Sequence, residues 1–220
     1  MINSSEKELK KLGFKFTDPS KRKKKNWNKI SIPKNFKDFG FEFFDGNSLG
    51  IGYQGYKYKK EYFDQVAKNL IKKFKLTSNS KVLDIGCAKG CLIYDLLRYG
   101  IQVHGLDVSF YAKNKSVPQI KNNIKLISNL NFLNKKYDLI ILLNVLNYFK
   151  YSQIDNIINL IRNKSEKNFL IIETISNLKK RKQFLSSDPN FKISETQEWW
   201  NTKFKKLNFN INNIFYRDMF

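Results

Sequence analysis

Residues 81–91 read KVLDIGCAKGC. The apolar run Val82 to Ile85 meets Gly86 and Gly90 and is followed by the stripe Leu92, Ile93, Leu96 and Leu97, the pattern of a buried strand that turns through glycines into a helix. In an open parallel sheet such a turn lies beyond the carboxyl end of its strand, where ligands bind. A dinucleotide turn would read G-x-G-x-x-G, with its central glycine admitting a pyrophosphate to the backbone. Here the order is Asp84-x-Gly86-x-x-x-Gly90, and a carboxylate at the strand end repels a pyrophosphate but suits a cation. Both cysteines of the chain, Cys87 and Cys91, fall in this stretch, and His104 is its single histidine. A structural zinc takes four ligands, which these residues do not supply. The thiols are small residues of a nucleotide-binding turn, free as in a reducing compartment.

Outward from this turn, IQVHGLD (101–107), IKLIS (124–128), YDLIILL (137–143) and NFLIIET (168–174) read as further strands. Phe63, Val66, Ala67, Leu70, Ile71 and Phe74 mark a helix before the first strand, and Ile154, Ile157, Ile158 and Ile161 mark one before the fifth. Strands alternating with helices define an α/β fold, a Rossmann-like, doubly wound and mostly parallel sheet. His104, inside the second strand, is expected in the core. After Glu173 the pattern lapses. Residues 175–193 read as irregular, Ser194 with Gln197 as a capping box that opens a helix carrying Trp200, Phe204 and Leu207, and NFNINNIFYR as one strand or a very short hairpin. Ile214, Phe215 and Tyr216 are too apolar for a frayed tail, so that strand is expected to pair with the sheet and to leave an abbreviated C-terminal edge. The 175–193 segment is then expected to cross above the crevice, close to Glu173.

The remaining sequence is polar or aromatic. Residues 1–40 are Lys-rich, with KRKKK at 21–25, and read as a mobile or loosely docked arm. In FGFEFFDGNSLGIGYQGYKYKK, residues 39–60, glycines alternate with aromatics, as in a loop that packs on something. At 220 residues and 41% hydrophobic the chain can bury one sizeable core. The charged N-terminus shows no export signal, and the stretch Tyr137 to Phe149 is too short and too polar to span a bilayer; a soluble cytoplasmic protein is the expectation. The net charge of +22 invites nucleic acid. Only five of the 41 basic residues are Arg, however, and Lys, Asn and Ile are abundant where Ala is scarce, so compositional drift outweighs a dedicated phosphate-binding surface.

At VLDIGCAKG the chain resembles the class I S-adenosylmethionine-dependent methyltransferases, and VHGLDVS places Asp107 at the end of the second strand, 23 positions after Asp84. The resemblance implies S-adenosyl-L-methionine as cofactor. It implies that Gly86 and Gly90, with Cys87 between them, let the backbone approach the methionyl part, that Asp84 supports its ammonium end, and that Asp107, followed by Val108, accepts both ribose hydroxyls. Where the family often has an acidic residue after the third strand, facing the adenine amino group, this chain has Ser128-Asn129, and the Asn129 amide oxygen is the candidate. The flanks FGFEFFDGNSLGIGYQGYKY and SETQEWWNTKFKKLNF resemble a bacterial group of small methyltransferases associated with sugar and cell-surface biosynthesis. The chain then divides into a basic arm (1–40), a capping loop and helix (41–80) and the methyltransferase domain (81–220).

Methyl transfer leaves the protein to position the reactants and, for a hydroxyl acceptor, to remove a proton. Glu173, at the end of the fifth strand, is the general base by position, or a carboxylate that bonds a loop. Asn144, Asn147 and Tyr148 follow the fourth strand, where the superfamily meets its substrates; Asn144 is also a candidate cofactor contact, and an Asn can orient but not deprotonate. Tyr53, Tyr56 or Tyr58 could place an aromatic face near the sulfonium, with Tyr56 the candidate cofactor contact, or the segment could simply pack. Trp199 and Trp200 read as helix packing. Amine methylation of bases would call for D/N-P-P-Y/F where the chain has Asn144-Val145-Leu146-Asn147, and cytosine-carbon methylation for a cysteine there. The sequence points to O-methylation of a small polar, sugar-like molecule, with an RNA methyltransferase, a non-catalytic cofactor binder or an RNA-binding module as alternatives.

Overall fold

Six strands pair in parallel in the order β3-β2-β1-β4-β5-β6: β1 (Lys81–Ile85), β2 (Gln102–Asp107), β3 (Ile124–Leu126), β4 (Leu139–Leu143), β5 (Asn168–Thr174) and β6 (Ile214–Asp218). The structure is a computed structural model that describes residues 4–16, 32, 34–46, 53, 62–128 and 135–219. The helices are α1 (Ser4–Lys11), α2 (Lys34–Lys37), α3 (Phe41–Phe44), α4 (Asp64–Phe74), α5 (Cys91–Arg98), α6 (Phe110–Asn114), α7 (Tyr151–Lys164), α8 (Arg181–Ser187) and α9 (Gln197–Lys206). The winding reverses between β1 and β4, which opens a crevice at their carboxyl ends. This is the doubly wound parallel α/β fold expected from the sequence.

Alternation along the strands builds two cores. Val82, Val103, Ile141, Phe169, Ile171 and Phe215 meet Val66 and Leu70 of α4 and Ile93 and Leu96 of α5. On the other face, Leu83, Ile140, Leu142, Leu170, Ile172 and Ile214 meet Ile154, Ile158 and Ile161 of α7 and Trp200 and Phe204 of α9. Central strand β5 is buried at every position, as expected where helices cover both faces.

Four features depart from the sequence reading. First, residues 4–16 are not loosely attached. α1 lies against β6, Leu9 is buried, and Phe14 stacks on Phe169 with ring centroids 5.7 Å apart. The KRKKK run lies outside the described residues. Second, residues 175–193 hold a helix, α8, anchored by Phe184 in a small cluster with Ile175, Phe191 and Met219. Third, α9 is capped by Thr196, whose hydroxyl accepts from Trp199 N–H. Ser194 cannot open the helix, because its carbonyl accepts from Arg181 and the next carbonyl, that of Glu195, accepts from Ile175 N–H. Fourth, His104 is exposed: it shares a sheet face with Gln102, also exposed, where among the described residues no helix lies over β2.

The C-terminal edge is abbreviated as expected. After residue 174 the described residues hold one strand, β6, and it runs parallel to β5, with Glu173 opposite Arg217. A parallel pairing needs a long crossover, and residues 175–213 supply it. Their first part passes over the β4 and β5 ends: Asn147 O accepts from Lys192 and Ile193 N–H.

The docking of residues 4–16 predicts that Phe14→Ala lowers unfolding free energy by roughly 3 kcal/mol, the scale of a buried Phe truncation. Urea denaturation checks this, and a change within about 0.5 kcal/mol, the scale of an exposed site, would contradict it.

Candidate active site

The glycine turn is fixed by backbone geometry that side chains cannot adopt. Gly86 has φ +73, and a Cβ there would sit 2.4 Å from Val145 Cγ2; Gly90 has φ +71, and a Cβ there would sit 2.5 Å from Ile120 Cδ1. Gly86 N–H donates to Leu106 O at 2.7 Å, which ties the turn to the end of β2. There, Asp107 accepts Ala88 N–H on one carboxylate oxygen and Ser109 N–H on the other, each at 2.7 Å. One buried carboxylate thus shapes both loops of the crevice, and each oxygen keeps a lone pair for a ligand hydroxyl.

Asp84 is the opposite case. It is buried at the end of β1, facing Gly105 in register, and it has no hydrogen-bond partner among the described residues. Burial, and then the charge of Asp107, push its carboxyl up to about 8. Burial also raises Asp107, against its backbone hydrogen bonds. Two buried carboxylates with no cation between them are a site suited to a positively charged ligand. Cys87, buried beside them, has its thiol pushed well up by burial and then by Asp107 and Asp84; it stays protonated and serves as a small wall of the turn.

After β4 the chain enters a left-handed conformation at Asn144, φ 58, and Asn144 Oδ1 is buried without a hydrogen-bond partner among the described residues. Asn147 has structural work instead. Its amide donates to Glu173 O and Ile193 O and accepts from Glu173 N–H, which fastens the β4 turn to β5 and to the 175–193 segment. Tyr148 donates its hydroxyl to Asp188 at 2.8 Å and packs on Phe39 and Phe191. Glu173 is buried in an ion pair with Arg217 at 3.1 Å, and the Arg217 guanidinium lies 4.2 Å from the Phe16 ring centroid. Trp200 is fully buried against Phe204, as helix packing requires. Asn129, Tyr56 and Tyr58 lie outside the described residues.

A clasp that spacing alone does not reveal closes the crevice from above. Lys89, in the glycine turn, is 3% exposed. Its ammonium bonds both carboxylate oxygens of Asp45, at 2.7 and 2.8 Å, and Tyr111 donates to the same carboxylate at 2.6 Å. Burial opposes ionisation of Asp45, but these bonds hold it below the usual carboxylate range. Farther along, Ser109 Oγ donates to Phe39 O and Asn190 Nδ2 donates to Phe36 O. Helices α2 and α3 therefore bridge from the cofactor half of the crevice to the 175–193 segment. Beside them an open groove of about 530 Å³ is lined, among the described residues, by Asp38, Phe39, Val108, Leu126, Ile127 and Ser128.

A parallel sheet reversing at β1 and β4, with a glycine turn and two strand-end carboxylates, is in line with the Rossmann-like class I methyltransferase fold. The family model described as "Methyltransferase domain" matches residues 55–210, and the chain belongs to that family, whose enzymes use S-adenosylmethionine. Among curated proteins none matches. Among solved structures, the YcgJ protein of Bacillus subtilis is similar at TM-score 0.52 and 15% identity over 64% of this chain and 66% of its own. An S-adenosylmethionine-dependent methyltransferase from Clostridium acetobutylicum ATCC 824 gives 0.45 and 20%, over 59% and 55% of the two chains. Another from Archaeoglobus fulgidus gives 0.48 and 18%, over 69% and 72%. The matched part is thus a little under two thirds of the Bacillus chain and just over half of the Clostridium chain. No helix of the described residues is long and apolar enough to cross a membrane.

S-adenosylmethionine carries an ammonium and a sulfonium, and the unpartnered Asp84 beside Asp107 fits such a cation. A carboxyl at about 8 in the free protein must release its proton to pair with that charge. Affinity for S-adenosylmethionine should therefore rise with pH up to about 8 and level off above it, while in Asp84→Asn binding is weak and flat with pH. The same raised value in the folded state destabilises the fold as pH rises from about 4 toward 8, because the unfolded chain gives up the proton first. Asp84→Asn should remove that decline. Calorimetric titrations and urea melts at pH 6, 7, 8 and 9 check both signs.

Proposed function

We propose that the chain transfers a methyl group from S-adenosylmethionine to a small polar acceptor, with a sugar-like hydroxyl as the target. The observation that carries the small-acceptor reading is the clasp. Helices α2 and α3 are tied at Lys89 and Ser109 on one side and at Asn190 on the other, so the crevice has a roof that a polymer would have to displace.

The cofactor supplies an electrophilic methyl group on sulfur; the rest falls to the chain. Asp84 answers the ammonium charge and Asp107 accepts the ribose hydroxyls, while Gly86 and Gly90 keep the backbone close. Asn144 Oδ1, buried and unpartnered among the described residues, accepts from a neighbouring hydroxyl of the acceptor and so orients the reacting oxygen toward the methyl group, leaving the reacting O–H to Glu173. Glu173 takes the hydroxyl proton, and Arg217 and Asn147 hold it at the β5 end. Tyr148, bonded to Asp188 and packed under Phe39, supports the pocket wall and keeps the roof seated.

Formation of S-adenosylhomocysteine in a screen of sugars and polar hydroxyl metabolites tests the reading. Turnover with RNA at physiological salt, and with no metabolite, would overturn it in favour of an RNA methyltransferase. The role of Glu173 needs a variant pair, since removing one partner of a buried ion pair costs about 3–5 kcal/mol. Glu173→Gln and Arg217→Met should each destabilise, and the double variant should regain much of that loss. If Glu173 is the base, the double variant stays at least about a hundredfold down in turnover. Wild-type turnover by the double variant would show that Glu173 only clasps β5 to β6.

A further inference from the structure

We propose that Asp38, in the turn between α2 and α3, reads the adenine of the cofactor by accepting a hydrogen bond from its exocyclic amino group. Base specificity is then set by the N-terminal helices. The inference rests on the reading that Asp84 and Asp107 hold S-adenosylmethionine, and it adds the recognition of the base.

The groove beside the clasp begins at Val108, the residue next to the carboxylate assigned to the ribose, and continues along Leu126, Ile127 and Ser128 at the end of β3. A base attached to a ribose at Asp107 has this slot beside it. Its volume, about 530 Å³, suits a small ligand, and Val108, Leu126, Ile127 and the Phe39 ring make it predominantly apolar, as a flat aromatic base requires. Among the described residues, the polar side chains of its lining are Asp38 and Ser128. The nearby backbone donor of Ile127 is already engaged, giving its N–H to Asp107 O at 2.9 Å.

An ionised carboxylate accepts hydrogen bonds and gives none. On the base edges it therefore selects an amino group and rejects an oxo group, and adenine carries its amino group where hypoxanthine carries an oxygen. The Asp38 side chain is exposed and has no hydrogen-bond partner among the described residues, so no other contact accounts for its place in the slot. That place is fixed by its neighbour. Asp38 N–H donates to Lys34 O at 2.9 Å and Phe39 N–H to Phe36 O at 3.1 Å. Phe39 O accepts from Ser109 Oγ, and the Phe39 ring packs on Phe43 and Tyr148. Phe39 takes φ +54, a left-handed conformation that a bulky residue adopts only when its surroundings impose it. A backbone held this firmly just beyond Asp38 keeps the exposed carboxylate at the lining of the slot.

The test compares S-adenosyl-L-homocysteine with S-inosyl-L-homocysteine, its 6-oxo analogue, by calorimetry on the full chain. Wild type should prefer the adenosyl form by about tenfold or more, the worth of a hydrogen bond to a charged group. Asp38→Asn presents an amide that can donate to the oxo group, and its preference should collapse to within about threefold. Asp107→Asn should weaken both ligands alike and keep the preference. Thermal melts establish that each variant is folded, which an exposed position such as Asp38 favours. A folded Asp38→Asn that keeps the wild-type preference overturns the proposal, as does a wild type that does not discriminate. Failure of wild type to bind either ligand would instead sink the cofactor reading on which it rests.

Discussion

Two carboxylates that do not tolerate each other organise this protein. Asp84 and Asp107 end adjacent parallel strands, both buried, and their proximity is relieved only in part. Asp107 is answered by two backbone N–H groups, whereas Asp84 is left to hold its proton. The glycines follow from this arrangement, because a turn that leads an N–H back to Asp107 passes through φ values near +70 at Gly86 and Gly90. Such a site suits a cation at short range. The chain as a whole, at +22, repels one, but beyond about 8–10 Å that repulsion is screened by salt. Within the crevice the two carboxylates dominate.

The second constraint comes from the sheet edge. Because β6 runs parallel to β5, the chain must return to the opposite end of the sheet before it can pair, and this places α8 and the 188–193 turn over the ends of β4 and β5. Asn147 makes that crossing specific. Both of its amide donors and its amide oxygen are engaged, on β5 and on the returning segment, so this wall of the crevice is set by backbone partners. The Glu173 to Arg217 pair in the β5 to β6 register then links that wall to Phe16 and the N-terminal segment.

The sequence was most legible where one local rule decided the structure. Strands β1 to β5, the glycine turn and the strand-end carboxylates follow from period and spacing. Features that depend on partners far along the chain were not legible. α1 buries a single Leu in eight otherwise polar residues, too little to register as a period, and it is stabilised by β6. Ser194-x-x-Gln197 had the spacing of a capping box, but the backbone around Ser194 is already paired with Arg181 and Ile175, so the helix starts two residues later. In Gln102-Val103-His104 the polar, apolar, polar alternation was a usable sign that one face of β2 is open, and it outranks the general preference for a buried strand histidine. Lys89 and Asp45 stand 44 positions apart, and no spacing rule connects them.

These observations divide the labour of the crevice between two kinds of structure. The strand ends supply fixed charge: Asp84, Asp107 and Glu173 are held by hydrogen-bonded sheet, where positions vary little and buried like charges can be sustained. The roof supplies enclosure, through two helices of four residues each that are too short to be stable alone. They persist because Lys89 reaches up from the glycine turn to Asp45 and because Phe36, Phe43, Phe44 and Ala112 form a small core of their own. The lysine of the turn therefore has work that its neighbours do not: Gly86 and Gly90 give the turn its shape, and Lys89 ties the α2–α3 cover to it through Asp45. Any change that loosens the cover reaches the cofactor side through Lys89 and Ser109 and the acceptor side through Tyr148 and Asn190, so the two halves of the site are coupled through the N-terminal helices as well as through the sheet.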